Sequence, residues 1–225
     1  MKILVLVSGG LDSGVCLAKC VDEEGAKNVT ALNAYYGQRH NKEIECARNL
    51  CDYYGVRLLE MDLSQVMQYS DCSLLASSGK EIAHGDYAEQ TAERNGKPVE
   101  TYVPFRNGVL LSVATAVAIS IGASSVVIGA HKDDSAGAAY PDCSPEFIVN
   151  ERNAIWEGSG KQVILEAPFI HNNKAGVVKE GIRLDVPFEL TWSCYEGGEK
   201  PCGICGTCID RQKAFEANGT KDPLL

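Results

Sequence analysis

Three things are scarce in this chain of 225 residues, and each scarcity removes a class of function. Long apolar runs come first. The longest, Val109 to Ala123, is interrupted by Ser112, Thr115, Ser120 and Gly122. It falls short of the roughly 20 residues that a membrane span needs, so it reads as a buried helix. At the N-terminus, Lys2 and five apolar residues precede Ser8-Gly9-Gly10, too little for a secretory signal, and no small-residue cleavage site follows. Basic charge is the second scarcity. Lys and Arg number 21 against 30 Asp and Glu. The net charge of −9 argues against broad adhesion to nucleic acid or an anionic membrane, though not against a small, specific RNA site. Third, neither common nucleotide fingerprint is present. Without G-x-x-x-x-G-K-[ST] a kinase-like phosphate loop is set aside, and without G-x-G-x-x-G a dinucleotide fold is too. Internal repeats and low-complexity tracts are also missing.

Cysteine, by contrast, is plentiful. With no export signal the chain is expected in the reducing cytoplasm, where ten cysteines read as metal ligands or small buried hydrophobes rather than disulfides. Apolar content of 45% is ordinary for a soluble globular protein.

Strand-length apolar runs alternate with helical patterns. Residues 3–7, Ile-Leu-Val-Leu-Val, show no polar alternation, which suits a central parallel strand buried on both faces. Further strands are expected at 29–34, 56–61, 125–129 and 162–167, with helices at 13–24, 41–54, 108–121 and 146–156. Gly55 is placed as the C-cap of the second helix. This rhythm predicts an α/β fold of Rossmann-like type, a mainly parallel sheet with helices on both faces. Ligands of such sheets bind beyond the carboxyl ends of the strands, so the loops after Val7, Ala34 and Gly129 should share one rim. Residues 1–190 form the α/β unit, with 69–98 a polar excursion or lid, and 191–225 form a Cys- and Gly-rich C-terminal region.

Two glycines after a buried strand let the backbone turn sharply and expose successive N–H groups. The following helix adds unpaired N–H groups and the positive end of its dipole. Ser8-Gly9-Gly10-Leu11-Asp12-Ser13 therefore reads as an anion cradle rather than a plain strand-to-helix turn, with Ser8 and Ser13 as hydroxyl donors and Asp12 able to hold a metal ion or position a nucleophile. Near the other end, Cys194, Cys202, Cys205 and Cys208 form C-x7-C-x2-C-x2-C. Four thiolates converging on glycine turns suit structural Zn²⁺, with an iron–sulfur cluster as the main rival.

Between these motifs the residues are more ambiguous. Arg39-His40 reads as a solvated loop or as part of the rim, and Glu43 as a capping residue or a partner for that pair. Asn107 is a natural N-cap for the helix that follows, and Arg106 could reach a phosphate or carboxylate. Asp133 and Asp134 leave a strand end, where paired carboxylates could bind Mg²⁺ or an amine. Ser144 or Cys143 caps the helix after Pro141. Lys174 opens a helix-like stretch, where its charge opposes the dipole and so suggests some other purpose, solvated surface being the alternative.

The glycine loop resembles the pyrophosphate-binding loop of the N-type ATP pyrophosphatases. That superfamily, with its adenine-nucleotide-hydrolase-like fold, includes NAD, GMP and asparagine synthetases and the tRNA thiolation and lysidine enzymes. "YGQRH" with Glu43, "VPFRN", "YPDCSPEF", Lys174 and "TWSCYEGGEKPCGICGTCIDRQKAF" narrow the likeness. From Lys2 to about Phe215 the chain resembles the 7-cyano-7-deazaguanine synthase family. The resemblance implies ATP on Val7, Ser8, Gly9, Gly10, Leu11, Asp12, Ser13, Gly14, Val15, Cys16 and Leu17, and zinc on the four tail cysteines. It implies as substrates ATP, ammonia and 7-carboxy-7-deazaguanine, with Mg²⁺ accompanying the ATP, and a homodimer. Asp12, Arg39, Arg106 and Lys174 are then the catalytic candidates. Gln38, His40, Asp133, Asp134, Tyr140 and Asp142 are the substrate candidates, with Asp142 matched to the N1–H and amine of the base. Many members join the strand end to the Tyr-Pro-Asp-Cys turn by D-x-S-G. Here the link is the longer Asp133-Asp134-Ser135-Ala136-Gly137-Ala138-Ala139, which leaves open which aspartate takes the family role. A thiolase or another amidating ligase of the superfamily is the enzymatic rival, and a zinc-stapled nucleotide binder the non-catalytic one.

Overall fold

The computed structural model describes residues 1–225. β1 (Ile3–Leu6) leads through the glycine loop into α1 (Leu11–Glu24), and β2 (Val29–Tyr35) into α2 (Lys42–Tyr54). β3 (Arg57–Asp62) and the short α3 (Ser64–Met67) and α4 (Tyr87–Glu93) precede α5 (Arg106–Ile121). β4 (Ser125–Val127), α6 (Pro145–Gly158), β5 (Ile164–Glu166), α7 (Lys174–Arg183) and α8 (Gly206–Ala217) complete the chain. The five strands form one all-parallel sheet in the order β3-β2-β1-β4-β5.

β1 lies at the centre, and its side chains alternate between two cores as strand geometry requires. Ile3, Val5 and Val7 enter the core shared with α1, α2, α7 and α8. Leu4 and Leu6 enter the opposite core, beneath α5 and α6. The chain builds outward from β1 through β2 and β3, then returns to the other side of β1 with β4. The carboxyl ends of β1 and β4 therefore flank a topological switch point, where a crevice opens above the sheet.

A third apolar cluster sits above that edge. Leu74, Leu75 and Ile82 of the 69–98 excursion pack with Trp192, Cys194, Cys205 and Cys208 of the C-terminal region. Beneath it, Arg211 on α8 is almost fully buried. It holds Asp222 through Nε and Nη2 at 2.6 and 3.0 Å, and donates to Thr191 Oγ1 at 2.8 Å. Both charges are paired and hydrogen-bonded, the condition under which a buried ion pair is tolerated.

Gly55 caps α2 in the left-handed conformation (φ 64°) as expected. Ser144, rather than Cys143, caps α6, its Oγ accepting from Phe147 N–H at 3.1 Å with Pro145 in the first turn. Asn107 is not a cap. α5 begins two residues earlier, at Arg106 after Phe105 at φ 55°, because Asn107 N–H is engaged by the Asp142 carboxylate at 2.9 Å. β4 and β5 are shorter than the apolar runs that announced them, since Ile128 and Gly129 already turn toward the crevice.

Candidate active site

A cavity of about 220 Å³ occupies the switch point. Its floor is the glycine loop. Ser8 Oγ accepts from Gly10 N–H at 3.1 Å, Ser13 Oγ donates to Gly10 O at 3.0 Å, and Ser13 Oγ accepts from Ser8 N–H at 3.2 Å. Gly9 has φ 94°, and a Cβ there would stand 1.8 Å from Glu43 O, so the loop is pressed onto the first turn of α2. Gly129 brings the end of β4 close to α1, though less tightly, since a Cβ there would lie 3.1 Å from the Asp12 carbonyl.

At one pole of the cavity four charged groups converge. Lys174 Nζ donates to Asp12 Oδ2 at 2.8 Å and lies 3.5 Å from His131 Nε2. That same nitrogen is 3.5 Å from Asp12 Oδ1 and 3.3 Å from Asp134 Oδ1. Burial opposes the Asp12 charge, but Lys174 and His131 outweigh it and hold its carboxyl well below the ordinary range. Burial likewise opposes charge on His131 and Lys174. The carboxylates of Asp12 and Asp134 overcome it, raising both. Asp134 itself is pushed up by burial. Asp12 Oδ1 and His131 Nδ1 are buried without a hydrogen-bond partner.

At the other pole the wall is aromatic. The Arg106 guanidinium lies over the Tyr36 ring at 5.1 Å and donates to Tyr36 OH at 3.1 Å. Tyr195 OH lies 3.0 Å from Tyr87 OH and 3.1 Å from Tyr140 OH, which in turn is 2.6 Å from Thr101 Oγ1. Three separate segments thus close on one another through hydroxyls: α4 in the excursion, the Tyr-Pro-Asp-Cys turn, and the cysteine region. Trp192 N–H donates to Gly9 O at 2.9 Å, tying that region directly to the glycine loop.

The expected residues divide accordingly. Val7, Ser8, Gly10, Leu11, Asp12, Ser13, Arg106, Asp134, Tyr140 and Lys174 line the cavity. Gly14, Val15, Cys16 and Leu17 are buried in α1 behind the loop. Arg39 is not at the cavity: it is exposed, and its guanidinium binds the carbonyls of Ser78 and Lys80. Gln38 does not face the cavity either; its Oε1 accepts from Tyr36 N–H at 2.9 Å and so fixes that tyrosine. His40 packs its ring against Gly197. Asp133 is drawn to Lys174 N–H at 2.8 Å, capping α7, which leaves Asp134 as the aspartate that faces the crevice. Asp142 is buried, does not line the cavity, and turns Oδ2 to the start of α5. His131, Tyr36, Tyr87, Trp192, Tyr195 and Asp210 line or support the site without having been singled out for it. "YGQRH" and "TWSCY" carried three of these six, but no spacing rule shows that segments so far apart meet.

The four tail sulfurs lie within 4.8 Å of one another, and no disulfide is formed. Cys202 Sγ and Cys208 Sγ are 4.0 Å apart. A tetrahedral site with zinc–sulfur bonds of about 2.3 Å puts its sulfurs roughly 3.8 Å apart, so the donor set fits such an ion. Backbone N–H groups of Cys202 and Cys205 point at the sulfurs of Cys194 and Cys202, as thiolates prefer.

A solved structure of NMN synthetase from Francisella tularensis shares the fold, with a TM-score of 0.52 and 14% identity, covering 98% of this chain and 78% of that one. A 7-cyano-7-deazaguanine synthase from Archaeoglobus fulgidus is 42% identical over 226 residues, spanning 100% of this chain and 90% of its own length. Another, from Psychromonas ingrahamii, is 39% identical over 223 residues, spanning 99% of this chain and 96% of its own. Neither the thiolase reading nor the non-catalytic one finds support in these likenesses. The family model described as queuosine biosynthesis protein QueC matches residues 2–219, and with relatives of this identity over its full length the chain belongs to that family.

Proposed function

We propose that the chain is an ATP-dependent ligase that converts 7-carboxy-7-deazaguanine and ammonia into 7-cyano-7-deazaguanine. The observation that carries this reading is that the glycine loop and the cysteine region bound one and the same cavity. A carboxylate is a poor electrophile because its leaving group is poor. Attack of its oxygen on the α-phosphorus of ATP makes AMP the leaving group, and ammonia then displaces it to give an amide. A second activation, at the amide oxygen, allows loss of AMP and a proton to the nitrile.

The chain's own groups serve positioning and charge neutralisation. A phosphate oxygen takes over the Gly10 N–H now bonded to Ser8 Oγ, and the N-terminus of α1 stabilises its charge. Lys174, oriented by Asp12, neutralises the departing pyrophosphate. Asp12 Oδ1, the oxygen without a partner, would be the ligand for an Mg²⁺ bound with ATP, which would supply further charge neutralisation at the phosphates. The four cysteines hold a structural Zn²⁺ that braces the cavity wall. A cytoplasmic homodimer accompanies this reading, and light scattering tests its size.

Incubation with ATP, an ammonium salt and the 7-carboxy compound should yield the nitrile, with the amide as an intermediate, followed by mass spectrometry. Absence of both products overturns the reading.

A further inference from the structure

Four acidic side chains line the cavity, and two of them are paired with a basic partner. Asp12 is held by Lys174, and Asp134 by His131. Asp210 has no ion pair or hydrogen bond of its own, but it belongs to the basic pole, where Lys174 and His131 act on its charge. The fourth, Glu43, lies at the aromatic pole with no hydrogen bond or ion pair to any group of the protein. Burial without a partner pushes its carboxyl up to about 7, against the lowering influence of Arg106.

Arg106 is the complementary half. Its guanidinium offers five N–H donors in a fixed plane, and only one is used, at Tyr36 OH. The Tyr36 ring beneath it and the Gln38 side chain behind Tyr36 fix its orientation. Arg106 and Glu43 line one cavity and influence each other electrostatically, yet they are not ion-paired. A free carboxylate and a largely free guanidinium, held apart at one wall, suit a ligand edge that carries donors beside an acceptor. The pyrimidinone edge of a guanine-like base has that order: O6 as acceptor, then N1–H and the 2-amino group as donors. Asp142, the other acidic residue suited by type, is committed to Asn107 N–H.

Resting on the function proposed above, we infer that Glu43 and Arg106 read the guanine edge of the substrate. Glu43 accepts from N1–H and the 2-amino group, and Arg106 donates to O6. The base then lies with that edge toward α2 and the start of α5, and its 7-substituent toward the phosphate loop. Both are specificity residues, which touch the base and not the reacting carbon.

The test compares binding of 7-carboxy-7-deazaguanine with that of the same compound lacking the 2-amino group, by calorimetry on the full-length chain without ATP. The wild type should prefer the amino compound by roughly 10- to 100-fold, the worth of a charge-assisted hydrogen bond. In Glu43→Ala that preference should fall to near unity, with ATP binding and melting temperature kept. Glu43→Gln, of the same volume, is the second variant; its neutral amide can accept from only one of the two donors, so the preference should shrink and both compounds should bind more weakly. Arg106→Met should weaken both compounds alike and leave their ratio in place. Retention of the wild-type ratio in both Glu43 variants overturns the assignment of Glu43 while the functional reading stands. Unchanged affinities in Arg106→Met overturn the O6 half. If the wild type binds neither compound, the functional reading and the inference fall together.

Discussion

Lys174 occupies a position where a lysine is electrostatically misplaced, the first residue of α7, whose dipole repels cations there. The compensation comes from Asp12, across the cavity floor. Lys174→Met should leave the Asp12 charge with His131 as its remaining basic neighbour, its side chain 24% exposed and thus partly solvated. We expect a stability loss of about 1–3 kcal/mol, below the usual cost of breaking a fully buried pair. The larger effect should be on catalysis, a fall in kcat of about 100-fold or more as the charge on the leaving pyrophosphate goes unmet. Denaturant titration and steady-state kinetics separate the two. His131 makes a pH prediction. Asp134, Asp12 and Lys174 face it, and the net influence raises it above its ordinary 6.5. A group raised on folding stabilises the fold fully below its unfolded value and loses that contribution as pH rises through its folded value. The stability gap between wild type and His131→Asn should therefore be wide at about pH 5.5 and shrink by about pH 9. A gap that widens with pH contradicts the assignment. The oddity of Lys174 was visible in the sequence as a local conflict. The role of His131 was not, because its partners are supplied by α1 and by the turn after β4.

Among the elements, the glycine loop and the first turn of α2 form one packed unit, and its two glycines are not equivalent. At Gly9 a side chain faces two obstacles, a φ of 94° and backbone of Glu43 and Ala47 at 1.8 and 2.8 Å. At Gly10 the nearest atom to a new Cβ is the Ser8 hydroxyl, at 3.2 Å. Gly9→Ala should push α2 away from the loop and cost several kcal/mol, more than about 3 kcal/mol, together with ATP binding. Gly10→Ala should cost about 1 kcal/mol or less in stability and act mainly on ATP affinity. Thermal melts with and without ATP distinguish these outcomes. The strands were legible because unbroken β-branched runs have few other uses, and the parallel sheet followed from their alternation with helices. The start of α5 was misread at Asn107. A polar residue before an apolar run is a good cap by local rules, but here the Asp142 carboxylate takes the Asn107 N–H and moves the cap to Phe105.

In the whole molecule, the cysteine region is a wall of the cavity as well as an appendage to the sheet. Trp192 is bonded to the glycine loop and Tyr195 to Tyr87 and Tyr140, and the four sulfurs tie the Cys194 segment between these anchors to the start of α8. The composition change at Thr191 was legible as a metal-ligand cluster. Its packing on the 69–98 excursion was not, because both segments are polar and irregular and their few apolar side chains are buried in a cluster assembled with Tyr36, Met67 and Val103 from elsewhere in the chain. A metal ion held by all four thiolates should therefore stabilise cavity wall and tail together. Elemental analysis should find about one zinc per chain, and a brown, iron-containing protein would favour the cluster rival instead. Removing the ion with a strong chelator, or replacing Cys202 by Ser, should lower the melting temperature by several degrees, about 4 °C or more. Because α1 and the loop it caps rest on the sheet core, ATP should still bind, while affinity for the deazaguanine should fall at least about 10-fold. Equal loss of both ligands would mean that the metal region supports the whole fold, and loss of neither would make it an independent appendage. The Arg211–Asp222 pair, buried on the far side of the same region, should keep α8 docked when the ion is gone. Restoring zinc to the chelated protein should then recover deazaguanine binding without refolding of the chain.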